Sequence, residues 1–266
     1  MQKMKHLNQF ITEYIVKKKL DKAIDSEDHY EYYPKTKEEL IDNIKELFDK
    51  GETNLNCIDT SAITDMSGLF EDIEIERNFN VSGWNVSNVN NMARLFRGCE
   101  NFDCDLSNWN VSNVTNMKSM FNSCVVFRGK GLENWDVSKV EAMDYMFIHC
   151  RKFDGKSVEN WDVSNVTTLI GTFYSYFRLN CDLSKWNVSK VENMSHMFYE
   201  CKNFEGVGIE KWDVSNVTNM GFMFVNCSKL KNEKLNIWNT TNLKDVYKIF
   251  YGCTSLKNKP RLLRKK

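Results

Sequence analysis

The sequence is short of proline. There are two in 266 residues, Pro34 and Pro260, so the long stretch between them contains no residue that removes a backbone donor or fixes φ. Net charge is also missing: 36 Lys plus Arg balance 36 Asp plus Glu, which removes whole-molecule attraction to nucleic acid or to an acidic membrane. No apolar run approaches the roughly 18 residues that span a bilayer. The four histidines, His6, His29, His149 and His196, sit at unrelated positions, so no Cys-His or Ser-His pair suggests itself. Neither C-x-x-C nor C-x-x-H spacing occurs and no glycine-rich phosphate loop is present, so no metal, nucleotide or other cofactor is expected. The opening Met-Gln-Lys-Met-Lys-His-Leu lacks the apolar core of a secretory signal. The expectation is a cytoplasmic chain, with a surface or secreted location only if a signal sequence had been removed. An odd cysteine count, nine, argues in the same direction against a disulfide framework.

What is abundant is repetition. Trp84, Trp109, Trp135, Trp161, Trp186, Trp212 and Trp238 are spaced by 25, 26, 26, 25, 26 and 26 residues, a period that reads as a solenoid. Aligned on tryptophan, the repeats share W-[ND]-V-S-x-V-x-x-M-x-x-M-F-x-x-C-x-x-F. Ile58 to Ile63 fits as a first copy without its tryptophan, giving eight coils over 58–256. With 42% hydrophobic residues, such an array can bury a substantial core.

Within a coil, Trp109 and Val111 flank Asn110 with period two, predicting a short strand that stacks into a parallel sheet. Val114, Met117, Met120, Phe121 and Cys124 fall on one helical arc, predicting an amphipathic helix on the outside. Ser112 is its expected N-cap, and Ser138 with Glu141 and Ser189 with Glu192 match the capping box. The fold class is therefore α/β, a leucine-rich-repeat-like solenoid with strands inside and helices outside. Gly129, Gly155 and Gly206 mark return turns of 26-residue coils, where an extra residue with φ freedom absorbs the length difference.

Residues 1–57 carry no repeat. Leu7, Phe10, Ile11, Tyr14 and Ile15 form one helical stripe. Thr36-Lys37-Glu38-Glu39 starts a second helix through Leu40, Ile44, Leu47 and Phe48, stopped at Gly51. This segment reads as an N-terminal cap over the first coil, and 257–266, with six basic residues and no acid, as a basic tail.

Six cysteines, Cys99, Cys124, Cys150, Cys201, Cys227 and Cys253, share one repeat position, with Tyr176 in the fifth coil. They form a line rather than converging on a point, so they read as buried apolar thiols. Cys104 and Cys181 fall at turns and are expected to be more exposed and open to oxidation. The string Trp109-Asn110-Val111-Ser112-Asn113-Val114-Thr115-Asn116-Met117, with Met120-Phe121 and Cys124, resembles the BspA-like leucine-rich-repeat family of bacterial surface proteins and mycoplasma lipoproteins. That resemblance implies an adhesin or interaction protein.

Functionally, the expectation is a non-enzymatic protein-recognition scaffold, in one form a cytosolic effector or a phage or mobile-element inhibitor of a host protein. A cell-surface adhesin is the alternative within binding proteins. From another class comes a cysteine-dependent hydrolase. The candidate partner site is the polar ladder of the strand's outward position, Asp136, Asp162, Asp213, Asn110 and Asn187, with Asp59, Asn85 and Asn239 in the same register. Glu133, Glu159 and Glu210 sharpen its charge, so a basic protein partner is expected, with no membrane and no nucleic acid; Lys17, Lys18 and Lys19 and the tail are the only motive for the last. The competing reading is that these Asn and Asp side chains bond along the ladder or cap local turns.

Overall fold

Between coils, alternate peptide groups point along the stack, N–H toward the next coil and C=O toward the previous one. In the third coil the N–H groups of Met117, Ser119, Phe121 and Ser123 donate to the carbonyls of Ala142, Asp144, Met146 and Ile148 at 2.7–3.0 Å. Three of these columns recur at every step between coils, and the fourth at every described step except that from His149. The structure is a computed structural model that describes residues 30–71, 78–175, 178–260 and 262. Tyr176, the stripe Leu7 to Ile15, Lys17 to Lys19, His6, His29 and most of the basic tail lie outside these residues. One residue per coil joins an unbroken series of parallel bridges: Asp65, Asn91, Asn116, Ala142, Thr168, Asn193, Asn219 and Asp245.

The backbone of the M-x-x-M-F segment differs from the expected helix. Its remaining N–H groups close three-residue turns, Met120 to Met117, Asn122 to Ser119 and Cys124 to Phe121, and no α-helix occurs among the described residues of the repeat. Ser119 and Ser123 are left-handed, at φ of 55° and 65°, and so are the equivalent described positions of the other coils. A helix would turn these peptide groups onto their own coil. Here they serve the neighbours instead, and the intercoil bonds offset the roughly 1–2 kcal/mol cost of each left-handed non-glycine residue. The bridges also fall at Asn116 rather than on the expected strand Trp109 to Val111, which lies between two turns, Trp109 N–H to Leu106 and Val114 N–H to Val111. The serines do not cap helices. Ser112 and Ser138 instead donate their N–H to Asn110 and Asp136.

The apolar arc is nevertheless buried as its spacing demands, because turns and helix place the same residues on the inner side. All seven tryptophans are 2–6% exposed, and each indole N–H donates to a carbonyl in the preceding coil, as Trp161 does to Leu132 at 2.8 Å and Trp186 to Val158 at 2.9 Å. Phe70, Phe96, Phe121, Phe147, Phe173, Phe198, Phe224 and Phe250 form a column with centroids 5.5–5.8 Å apart. At the return turns, Gly131 and Gly208 are left-handed, and a Cβ on either would collide with the backbone nitrogen of Ser107 or Ser184 in the coil before. Gly129, Gly155 and Gly206 are left-handed as expected.

Helix α1 (Lys37–Asp49) covers the first coil. Thr36 caps it by accepting from the Glu39 N–H at 3.2 Å, while Glu39 accepts from the Lys35 N–H. Leu40, Ile44 and Leu47 enter the core, and Lys37 reaches Ser67 at 2.9 Å. The other end is different: the N–H groups of Val246, Lys248, Phe250 and Gly252 meet no acceptor among the described residues.

Two outcomes follow. Trp161→Ala should cost about 3–5 kcal/mol in urea unfolding, because it opens a cavity in a stacked core and removes a buried donor. Native-state hydrogen exchange should be faster at Val246, Lys248, Phe250 and Gly252 than at Met220, Phe222, Phe224 and Asn226, which hold the same positions one coil earlier.

Candidate functional site

The ladder residues Asn110, Asp136, Asp162, Asn187 and Asp213 are exposed, yet each already spends a side-chain oxygen. Their Oδ1 atoms accept the N–H two residues on, from Ser112, Ser138, Ser164, Ser189 and Ser215, at 3.0–3.1 Å. Asp59, Asn85 and Asn239 do the same for Ser61, Ser87 and Thr241. These are Asx turns, the local use of Asn and Asp that competes with regular structure. The hydrogen bonds from Ser138 and Ser215 hold the carboxyls of Asp136 and Asp213 below the ordinary range. Crowding of like charge would push them up, so no uncompensated repulsion strains these positions.

The three glutamates are engaged as well. Glu133 accepts from the Gly131 N–H, Glu159 from the Asp182 N–H, and Glu210 from the Asn232 side chain. Their task at these sites is to satisfy turn donors.

Five of the six ladder cysteines donate their thiol to the carbonyl of the core phenylalanine one coil back, at 2.9–3.0 Å. Cys99 is longer, at 3.8 Å from Phe70. None of the nine cysteines forms a disulfide. Cys104 and Cys181, expected to be exposed, are 6% and 2% exposed, because the return turns of the coil before pack against them: the Cys104 thiol meets Asn80, and a Cβ on Gly155 would touch Cys181. Burial pushes the thiol of Cys99 up to about 12 and of Cys253 to about 11, and raises those of Cys104, Cys124, Cys150, Cys181, Cys227 and half-buried Cys57. Thiolates are therefore disfavoured along the ladder.

A surface that the consensus does not encode emerges from the positions it leaves open. On the outside of the M-x-x-M-F turns, the early coils present charged groups in pairs: Glu71 with Arg94 and Arg97, and Lys118 with Asp144 of the fourth coil. From the fourth coil onward, outward positions of the same turns carry aromatic rings in adjacent columns. Tyr145, His149, Tyr174, His196, Tyr199, Phe222, Tyr247 and Tyr251 run along the stack. Tyr174 stacks on Tyr199 at 4.6 Å with ring planes 3° apart, and His196 lies on Phe222 at 4.8 Å. Phe222 meets Tyr247 edge-on at 5.1 Å, and Lys248 lies over Tyr247 and Tyr251. Tyr247 and Tyr251 are 58% and 62% exposed. Burial lowers the His196 pKa, which keeps its ring neutral and apolar at pH 7. Burial also raises the Tyr174 phenol. In sequence, the one signal of this ribbon is an aromatic bias at non-consensus positions confined to the later coils.

Asp144 stands at the junction. It is 4% exposed and accepts from the Thr168 hydroxyl at 2.5 Å, the Ile170 N–H at 2.9 Å and the Lys118 ammonium at 3.0 Å. The coils around it carry Ala142 and Thr168 where others carry an Asx-turn Asn or Asp, so one buried carboxylate supplies an acceptor that the fifth coil lacks.

No group of three or more His, Cys, Asp or Glu side chains suited to a metal ion is found among the described residues, and no helix among them is long and apolar enough to cross a membrane. One family model, described as Mycoplasma protein of unknown function, DUF285, matches residues 40–156, 126–208 and 206–262. No curated protein and no solved structure matches the chain.

Thiol labelling should therefore modify Cys57 first, with the eight buried cysteines reacting only on unfolding; fast native labelling of Cys104 or Cys181 would contradict their burial. Asp136, Asp182 and Asp213 are held below the ordinary carboxylate range, and Asp105 falls to about 2 through Lys130 and Ser107. A depressed native pKa stabilises the fold above the unfolded-state pKa, so this contribution is complete above about pH 4 to 5 and drains away as pH falls toward 2. The urea midpoint should be lower at pH 3 than at pH 7, and charge-neutralising Asp105→Asn should reduce the difference.

Proposed function

Because the chain belongs to the DUF285 family of Mycoplasma proteins, whose description names no activity, we propose a function from its surface: a leucine-rich-repeat-like solenoid of the BspA-like kind that serves as a non-enzymatic protein-recognition scaffold. The observation that carries this reading is the aromatic ribbon. The half-buried pair Tyr174 and Tyr199, stacked on one another, has little conformational freedom left to lose on binding, and aromatic anchors dominate recognition energetics. A ribbon that continues over five coils is larger than the scattered apolar residues of an ordinary surface. The Asp and Asn ladder is the second candidate face, favoured by its exposure and by the repetition of Asp136, Asp162 and Asp213, although its oxygens already serve local turns.

A photoreactive amino acid placed at Tyr199 or at Asp162 distinguishes the two faces. In extract of the source cell, the Tyr199 position should cross-link a defined protein and the Asp162 position should not. Charge reversal of Asp136 and Asp162 should leave that cross-link unchanged. Cross-linking through Asp162 alone would move recognition to the ladder, and failure at both positions would remove the reading.

A further inference from the structure

We infer that the ribbon on coils four to eight takes an amphipathic α-helix of a partner protein, laid along the stack with its apolar face on the aromatic side chains and acidic residues on one flank. This rests on the recognition reading above and deepens it. The first argument is a match of repeats. The core phenylalanines of coils four to eight are spaced by 5.6–5.8 Å per coil. An α-helix advances about 5.4 Å per turn, whereas two residues of an extended strand advance about 6.6 Å. Over four steps a helix slips by only about 1 Å, within reach of side-chain adjustment, while a strand slips by about 4 Å, more than half of one coil. A helix with apolar residues at i, i+4, i+7, i+11 and i+14 therefore keeps step with the coils, its apolar face spanning the two adjacent columns in which the rings stand, Tyr145, His196 and Phe222 in one and Tyr174, Tyr199 and Tyr251 in the other, in the helix-on-surface mode of peptide recognition.

The second argument is charge. One edge of the ribbon is the segment just after the cysteine position, where backbone bonds such as Lys229 N–H to Lys202 and Ser255 N–H to Ser228 stack the coils. Arg151, Lys152, Arg178 and Lys229 stand there, all exposed. Among the described residues, no carboxylate forms an ion pair with any of the four. Arg97, Lys118, Arg128, Lys130 and Lys231 each meet one, while Lys139, Lys185 and Lys190 are held by asparagine side chains. A row of uncompensated cations beside an apolar ribbon is complementary to acidic residues beside an apolar helix face, and it would also steer association.

The probes are three 18-residue synthetic peptides of leucine with charged residues: one with leucine at helical spacing and a glutamate flank, the same peptide with lysine in place of glutamate, and an isomer of the first with strictly alternating leucine. Binding to the full-length chain is read by fluorescence anisotropy. The glutamate helix should bind at least tenfold more tightly than the other two and weaken as salt rises. Tyr174→Ser with Tyr199→Ser should weaken it at least tenfold. Arg178→Glu with Lys229→Glu, surface changes that leave the core untouched, should shift preference to the lysine helix. Circular dichroism melts confirm that both double variants remain folded. Equal binding of the alternating isomer, indifference to the charge reversal, or no binding by any peptide overturns the inference. If the peptides fail while the Tyr199 cross-link still forms, the helical partner is lost and the recognition reading stands; if the cross-link fails, both are lost.

Discussion

The arrangement depends on one commitment of the backbone: in each coil, alternate peptide groups across the M-x-x-M-F segment bond forward and backward to neighbouring coils. A buried peptide group must find a partner, and once these are assigned along the stack, helix is no longer available to the segment. The intervening peptides close short turns, and closing them forces two left-handed residues per coil. The same register brings each phenylalanine over the last at 5.5–5.8 Å, so its carbonyl, already accepting one N–H, also receives the thiol of the next cysteine. Cysteine at this position is thus more than a small apolar filler. A buried thiol held well above its ordinary pKa stays protonated and can donate.

Much of this was legible in the chain, and the parts that were not have a common cause. The period, the buried tryptophans, the glycine return turns and helix α1 all follow from residues whose side chains admit a single reading: an indole at 2–6% exposure, or a Thr-x-x-Glu cap. The M-x-x-M-F backbone admitted two, because a helix and a chain of three-residue turns both bring Val114, Met117, Met120, Phe121 and Cys124 inward. What separates them is the outward pair of positions. Gly68, Gly98, Gly171 and Gly252 recur there beside serine, asparagine and histidine, a helix-poor set that points to left-handed backbone. The ladder posed the reverse problem. Its regularity suggested selection for a partner, but Asx turns recur with equal regularity, since every coil needs the same local donors satisfied.

The repeat therefore divides its positions into two kinds. Consensus residues are fixed by burial and by hydrogen bonds that each coil must make, and they are alike from one coil to the next. The outward residues of the turns are under no such demand, so any consistent chemistry among them needs a separate explanation. The early coils neutralise theirs in ion pairs, Glu71 with Arg97 and Lys118 with Asp144 of the fourth coil. The later coils place rings there instead, and Asp144, buried between the two regimes, repairs the one place where the Asx pattern lapses.

Rigidity links this division to recognition. Binding loses much of its gross energy when side chains and loops must be ordered. In the ribbon the ordering has already occurred on folding, because Tyr174 lies flat against Tyr199 and His196 against Phe222, and the backbone beneath them is held by bonds to both neighbouring coils. The left-handed residues contribute directly: His196 and Phe222 carry φ of 59° and 60°, which turns their side chains out of the path an α-helix would give them and onto the outer face. The strain that the intercoil ladder imposes on the backbone thus projects Tyr145, His149, His196 and Phe222 outward, and the surface proposed for recognition is in part a consequence of how the core is hydrogen-bonded.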